Sequence, residues 1–341
     1  EAGIRLAEEI VNASPCAEKV RFLSSGSEAT FYAMRLARAK SQRSKIMKFE
    51  GGFHGMSDYA LMSMAPRRPG NFPQAASDTA GIPDAISNEM LIAPFNNTET
   101  AISLIREHQD ELAAVIVEPL QRMIPPEPGF LVALREVTLE CGIALIFDEV
   151  VTGFRFAFGG AQEFYGVTPD LCALGKIIGG GYPLSAVAGK NQFMKYFDAA
   201  EVGTDYVVKQ IGTLSGNPIA SVAGLATLNV LKGPSIYDRL FQTGQQFMDG
   251  LTDLFAKHRI AAQVRGVPPM FDILFTNARV IDYRSAAKSD SAKLKIFNEH
   301  VLKGGLLKGD NKFYVSTAHS KEDIAQAIEI CDKALAAVAA L

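Results

Sequence analysis

The chain has 341 residues, 48% of them hydrophobic, which is enough apolar material for a sizeable core and, by length, about two domains. Its 34 basic and 37 acidic residues leave a net charge of −3, so no basic excess points to nucleic acid or an anionic membrane surface. No run of 18 apolar residues suggests a membrane span, no charged-then-apolar leader is visible, and Cys16, Cys141, Cys172 and Cys331 form no CxxC pair, which predicts reduced thiols in a cytoplasmic protein.

The chain opens in a helical pattern, Gly3 to Val11. Ala29, Ala33, Leu36 and Ala37 have helical spacing and predict a helix from Ser27 to Lys40, capped by Ser27. Its start, Ser24-Ser25-Gly26-Ser27-Glu28-Ala29, is a small-residue turn. Free N–H groups and the helix dipole make such a start an anion site, and Gly26 would let a phosphate approach the backbone. A plain N-cap is the competing reading. Gly51-Gly52-Phe53-His54-Gly55 brackets an aromatic that could stack on a flat ring, or that simply fills a core beside a glycine-rich turn. Four prolines between Ala65 and Pro83 predict a long surface loop.

Ala113 to Val117 reads as a short strand, Pro128 to Cys141 as a helix, and Ile143 to Phe147 as a buried parallel strand. That last run ends in Asp148 and Glu149. The C-terminal edge of a parallel sheet is where ligands bind, and a carboxylate buried there needs a partner. A pyridinium nitrogen would serve; a metal would need further ligands at the right spacing, and none accompany it. Leu171–Leu174 and Ser185–Ala188 are two more strand candidates. Lys176 follows the first of them and precedes Gly179-Gly180-Gly181. Its apolar flanks predict burial, which lowers an ammonium pKa as an imine-forming lysine requires. A phosphate loop is excluded, because Asp170 stands where glycine is needed and Ile177 where Ser or Thr is needed. The alternation of strand and helix predicts a doubly wound α/β sheet.

From Gly216 the pattern changes. Helices are predicted at Asn217–Leu231 and Ile236–His258, then alternation over Gln263–Thr276, a helix at Ser285–Val301, a strand at Lys312–Ser316 and a terminal helix at Lys321–Ala339. This predicts a large domain over residues 1–240 and a smaller α+β domain over 241–341.

The ordered set SSGSEA, GGFHG, VEP (Val117–Pro119), IFDEVVTGFR (Ile146–Arg155), PDLCALGKIIGGG (Pro169–Gly181) and GTLSGNP (Gly212–Pro218) resembles the class III aminotransferases, most of all their glutamate-1-semialdehyde aminomutase-like branch. The resemblance runs the length of the chain, although family members usually carry a further N-terminal segment. It implies the type I fold of pyridoxal 5'-phosphate enzymes, with a large, mostly parallel sheet domain and a smaller C-terminal one. It also implies roles. Lys176 would carry the cofactor as a Schiff base and shuttle the substrate proton. Asp148 would pair with the pyridine nitrogen. Val150 and Phe53 would cover the two ring faces, Gly26 and Ser27 would hold the phosphate, and Glu118 would line the site. Thr213 would reach the phosphate of a neighbouring subunit, so the active unit would be a homodimer. Arg155 would order its loop.

The chain departs from the family pattern in three places. It has Val151 where many class III transaminases have Gln. Asn311 or Lys312 falls near a glutamate of the aminomutases, and Gln121-Arg122-Met123-Ile124-Pro125 replaces their VAGN-like segment. The expected reaction is transfer of an amino group from an amino acid or amine to an oxo acid, both small molecules. Glutamate-1-semialdehyde 2,1-aminomutase is the alternative, and a non-catalytic chain that keeps the fold for binding is a third.

Overall fold

In the computed structural model, which describes residues 1–340, the first elements are α1 (Ala2–Ala13), β1 (Lys19–Leu23), α2 (Gly26–Ser41) and β2 (Lys45–Phe49). There follow β3 (Met90–Ala93), α3 (Thr98–Glu107), β4 (Leu112–Val117), α4 (Phe130–Glu140) and β5 (Ala144–Glu149). Next come α5 (Gly160–Tyr165), β6 (Leu171–Leu174), β7 (Ser185–Gly189), the short α6 (Asn191–Met194) and α7 (Ala199–Val202), and α8 (Pro218–Leu231). These belong to one unit, residues 1–121 and 126–232; residues 122–125 go with the second unit, which starts at Gly233.

The described strands of the first unit form a seven-stranded sheet in the order β1-β7-β6-β5-β4-β2-β3. The β2–β3, β2–β4, β4–β5 and β5–β6 pairs are parallel, and only β7 runs against its neighbours. Strands β4 and β5 are buried along their whole length, which explains why they read as unbroken apolar runs rather than alternating ones. On one face lies α2. Its Ala29, Ala33 and Ala37, each fully buried, recur every four residues and present a smooth stripe to Ala114, Ile116, Ile146 and Ala173. Small side chains let that helix sit close to the strands.

The cap of helix α2 lies two residues before the predicted one. Ser25, not Ser27, is the N-cap: its hydroxyl accepts from Glu28 N, and the Glu28 carboxylate accepts from Ser25 N in return. That reciprocal pair frees the Ser27 side chain for another contact.

Strands β1, β2 and β3 and helix α3 have no counterpart in the sequence reading. In β2 the reason is Lys48. It is fully buried, and its ammonium donates to Ala60 O at 2.8 Å and Met62 O at 2.7 Å. A lysine inside a strand hides the apolar pattern that marks a core strand. The Ala65–Pro83 segment carries no helix or described strand; its backbone is held by a bridge between Met62 and Ser77, by Pro73 O accepting from Ile92 N, by Ala76 N donating to Ser63 Oγ and by Asp78 accepting from Ala65 N.

The second unit contains α9 (Ile236–His258), β8 (Gln263–Val267), β9 (Met270–Leu274), α10 (Tyr283–Ala286), α11 (Ser291–Lys303), β10 (Phe313–Tyr314) and α12 (Lys321–Ala339). The predicted alternation over Gln263–Thr276 resolves into the antiparallel β8–β9 hairpin, and β10 adds to β9. Phe247, Phe271, Phe297 and Phe313 pack together at its centre, edge-to-face except for the stacked Phe271–Phe313 pair. The predicted single helix over Ser285–Val301 is two. Ser289 Oγ accepts from Phe275 N, and the Asp290 carboxylate caps the second helix by accepting from Ala292 N and Lys293 N, each at 3.0 Å. Side chains that bond the backbone this way end one helix and start another, which helical spacing of apolar residues does not reveal.

Candidate active site

Because β2, β4, β5 and β6 run parallel and adjacent, their C-terminal ends open on one edge of the sheet. The sequence motifs lie there. The glycine-rich loop follows β2, Glu118 follows β4, Asp148 closes β5, and Lys176 follows β6.

The two acids at the end of β5 point to opposite faces, as period-2 geometry demands. Asp148 is almost completely buried; its Oδ2 lies 2.8 Å from His54 Nδ1, and its Oδ1 accepts from Val150 N at 3.1 Å. Glu149 turns the other way into a closed polar nest. It accepts from Ala161 N at 2.5 Å, Gln162 Nε2 at 2.8 Å and Thr152 Oγ1 at 3.2 Å. Burial pushes the Glu149 carboxyl up to about 7, against the opposing pull of those donors. Glu149 therefore anchors the loop from Val150 to Gly160, while Asp148 faces the site. In that loop Arg155 Nε donates to Val151 O, in line with its expected ordering role.

The phosphate and ring motifs meet around these residues. A Cβ on Gly26 would come within 2.8 Å of Val150 Cγ1, and one on Gly175 within 3.2 Å of the same atom, so both must be small for Val150 to sit where it does. Ser27 Oγ accepts from Met56 N, and Thr30 Oγ1 donates to His54 O at 2.5 Å, which fastens the GGFHG loop onto the first turn of α2. Gly55, at φ +90°, lies so close that a Cβ there would meet Ser27 Cα at 2.6 Å. Phe53 N donates to Glu118 Oε2 at 2.8 Å, and the Phe53 ring, 49% exposed, stands free of the core. The structure thus brings Gly26, Ser27, Phe53, Glu118, Asp148 and Val150 into one connected cluster.

Lys176 departs from the expectation. It is exposed rather than buried. The chain leaves β6 through an extended Gly175 and enters a left-handed turn at Lys176 itself, φ +46°, which carries the side chain off the strand axis. The glycines after it have a packing reason: Gly180, at φ +58°, sits so close to α8 that a Cβ would meet Ala223 O at 2.4 Å. Thr213 lies on an exposed turn, between Ile211 and Leu214, and is not joined to the cluster by a hydrogen bond among the described residues.

Sequence reasoning missed the partner of Asp148. The motif GGFHG marked His54, but its pairing with a residue 94 positions away has no sequence signal. Gln121 belongs to the segment that departs from the family pattern; its side chain is fully buried against the GGFHG loop, with Nε2 donating to Glu50 O at 2.8 Å.

The family description "Aminotransferase class-III" matches residues 1–335. A glutamate-1-semialdehyde 2,1-aminomutase from Methanosphaera stadtmanae is 41% identical over 341 residues, spanning 98% of this chain and 78% of that protein. The solved structure of an omega-transaminase from Sphaerobacter thermophilus is similar with a TM-score of 0.93 and 37% identity, covering 98% of this chain and 78% of the other. That of a transaminase with PLP bound is similar with a TM-score of 0.90 and 29% identity, covering 99% and 78%. Given a family match along nearly the whole length and a relative at this identity, the chain belongs to the class III aminotransferases, pyridoxal-phosphate-dependent enzymes of the type I fold.

Proposed function

We propose that the protein moves an amino group from an amino acid or amine to a separate oxo acid. The observation that carries this reading is Asp148: a carboxylate at the end of the central strand, buried, and held in place from two sides by His54 and Val150 N. Such a group suits a protonated ring nitrogen. The rest of the cluster fits pyridoxal phosphate as well. Gly26 and Ser27 open a 16-residue helix whose dipole favours a phosphate, and Val150 and the exposed Phe53 ring offer two apolar faces for a flat ring. When bound, the cofactor supplies an electron sink for the carbon that carries the amino group.

The chain's own residues do the remainder. Lys176 provides the amine that attaches the cofactor and then moves the proton at the substrate Cα. Exposure on a left-handed turn gives this side chain room to swing between the two tasks. Asp148 keeps a positive charge on the ring nitrogen. Glu118 holds the Phe53 backbone and so sets where that ring lies.

We further propose a homodimer. Tyr206, Ile211, Leu214, Ile219 and Val222 are all exposed along one stretch that contains Thr213, Ile211 at 93%. A second copy of the chain covering that stretch would bring Thr213 to its neighbour's phosphate, and light scattering would read two chains per particle. Four free thiols, three of them buried, are in keeping with a reducing cytoplasm.

The second reading, an aminomutase, is favoured by the 41% identity to a protein of that name. The Lys308–Tyr314 stretch, without the glutamate of that branch, favours the transaminase. A ¹⁵N-labelled amino donor supplied with unlabelled pyruvate or 2-oxoglutarate separates them. Label in the new amino acid, with parallel initial-rate lines, is the expected result. Conversion of glutamate semialdehyde to 5-aminolevulinate with no label reaching any oxo acid would overturn it.

A further inference from the structure

Two of the four free cysteines meet inside the first unit. Cys172 lies on β6, paired with Phe147 of β5 on one side and Ala188 of β7 on the other. Cys16 lies in the turn that joins α1 to β1. The Cys172 thiol hydrogen-bonds to the Cys16 sulfur. Both residues are buried, Cys172 at 0% exposure and Cys16 at 2%.

One amide holds the pair together. Cys16 N donates to Gln162 Oε1 at 3.0 Å, Gln162 Nε2 donates to Glu149 Oε1 at 2.8 Å, and the Gln162 side chain also hydrogen-bonds to Cys172. The backbone of Cys16 is therefore fixed by the same side chain that touches the opposite sulfur, and the backbone of Cys172 is fixed by the sheet. The bond to Cys16 first, and burial second, push the Cys172 thiol well above its ordinary range. Cys172 thus keeps its proton and donates it, which leaves the Cys16 sulfur as the acceptor with a lone pair to offer. The other two cysteines lack a thiol neighbour among the described residues. Cys141 is half-buried beside Glu140, and Cys331 lies in the second unit, where burial pushes its thiol up to about 12.

We propose that Cys16 and Cys172 form a modification site, an internal dithiol that hydrogen peroxide oxidises to a disulfide. The Cys16 sulfur attacks one peroxide oxygen, the O–O bond breaks, and the products are a sulfenic acid on Cys16 and one water. The Cys172 sulfur then attacks the Cys16 sulfur, the S–O bond breaks, and the hydroxyl leaves with the Cys172 proton as a second water. The two thiols together lose two electrons, and the peroxide takes them up. Burial keeps bulky oxidants away from both sulfurs, so a molecule of this small size is the oxidant that fits. The disulfide ties the α1–β1 turn to the strand that leads into Lys176. In a reducing compartment such a pair is reversible, formed under peroxide and reopened by small thiols.

The test follows sulfur rather than turnover. The full chain with its cofactor is treated with hydrogen peroxide, remaining thiols are blocked with N-ethylmaleimide during denaturation, and peptides are mapped by mass spectrometry. A cross-linked peptide containing Cys16 and Cys172, lost on treatment with dithiothreitol, is the expected product, with Cys331 still blocked by the maleimide. In Cys172→Ser the sulfenic acid on Cys16 has no thiol to condense with, so dimedone should capture it many-fold more than in the parent. Cys16 and Cys172 both blocked by the maleimide in the parent, at a peroxide dose that already oxidises Cys141, would overturn the proposal, even if Cys172→Ser fails to fold. So would a cross-link from either residue to Cys141 or Cys331 in place of the expected one. Equal dimedone capture in the parent and a folded Cys172→Ser would do the same.

Discussion

Replacing Asp148 with Asn keeps the shape of the side chain and removes one charge and one acceptor. In the parent, Oδ1 accepts from Val150 N at 3.1 Å and Oδ2 lies 2.8 Å from His54 Nδ1. Asparagine has one oxygen for those two donors, so one of them must face an NH2 group. An unsatisfied buried donor costs about 1–3 kcal/mol. At roughly 2–4 °C per kcal/mol for a unit of this size, the melting temperature should fall by several degrees. The charge matters more for chemistry. A carboxylate about 4 Å from a cation is worth on the order of 4 kcal/mol at an effective dielectric near 20. That corresponds to about three pKa units of support for a protonated ring nitrogen, at about 1.4 kcal/mol per unit. Transaminase turnover should therefore fall by on the order of two or more decades, since each decade of rate is about 1.4 kcal/mol. Initial rates at saturating donor and scanning fluorimetry on the same preparation check both effects. Turnover within a factor of two of the parent would make Asp148 a structural residue and refute the electrostatic argument.

Three other perturbations follow from named contacts. Lys176→Ala should abolish the cofactor trapped on the protein by borohydride and stop turnover; a variant that still holds a reducible imine would show that another lysine is the attachment point. Glu149, whose carboxyl is pushed from an ordinary 4.5 up to about 7, stabilises the fold below about pH 4.5, and that contribution is lost as pH rises through about 7. Relative to Glu149→Gln, the parent should lose on the order of 3 kcal/mol between those limits, and identical pH slopes for the two in urea melts would refute it. Gly26→Ala pushes a methyl to 2.8 Å from Val150 Cγ1, so it should destabilise by about 1–3 kcal/mol and weaken cofactor binding. Adding Val150→Ala should recover much of that loss, and strictly additive effects would show that the two side chains do not meet.

Much of the fold was legible because it rests on patterns that survive in one dimension. Strands β4, β5 and β6 are continuous apolar runs because both faces of the sheet are covered, and α2, α9 and α12 repeat their apolar residues at helical spacing. The site motifs were legible for the same reason: acids that end an apolar strand, and glycines beside an aromatic, are local features. Where local chemistry competed with the pattern, the reading missed. Lys48 disguised β2, and Asp290 broke a helix whose apolar spacing ran straight through it.

The tertiary structure alone decided which side chains face one another. The chain order of motifs names Asp148, but His54 reaches it only because β2 and β5 flank β4 and their loops open on the same edge. Lys176 reads as buried from its neighbours in sequence, yet the left-handed turn at its own Cα turns it outward. The amide of Gln121, which carries no motif, acquires its place because Glu50 O fixes one end and Gly52 leaves room at the other. Burial, hydrogen-bond direction and protonation depend on distances between residues far apart in the chain, and a one-dimensional pattern does not contain those distances.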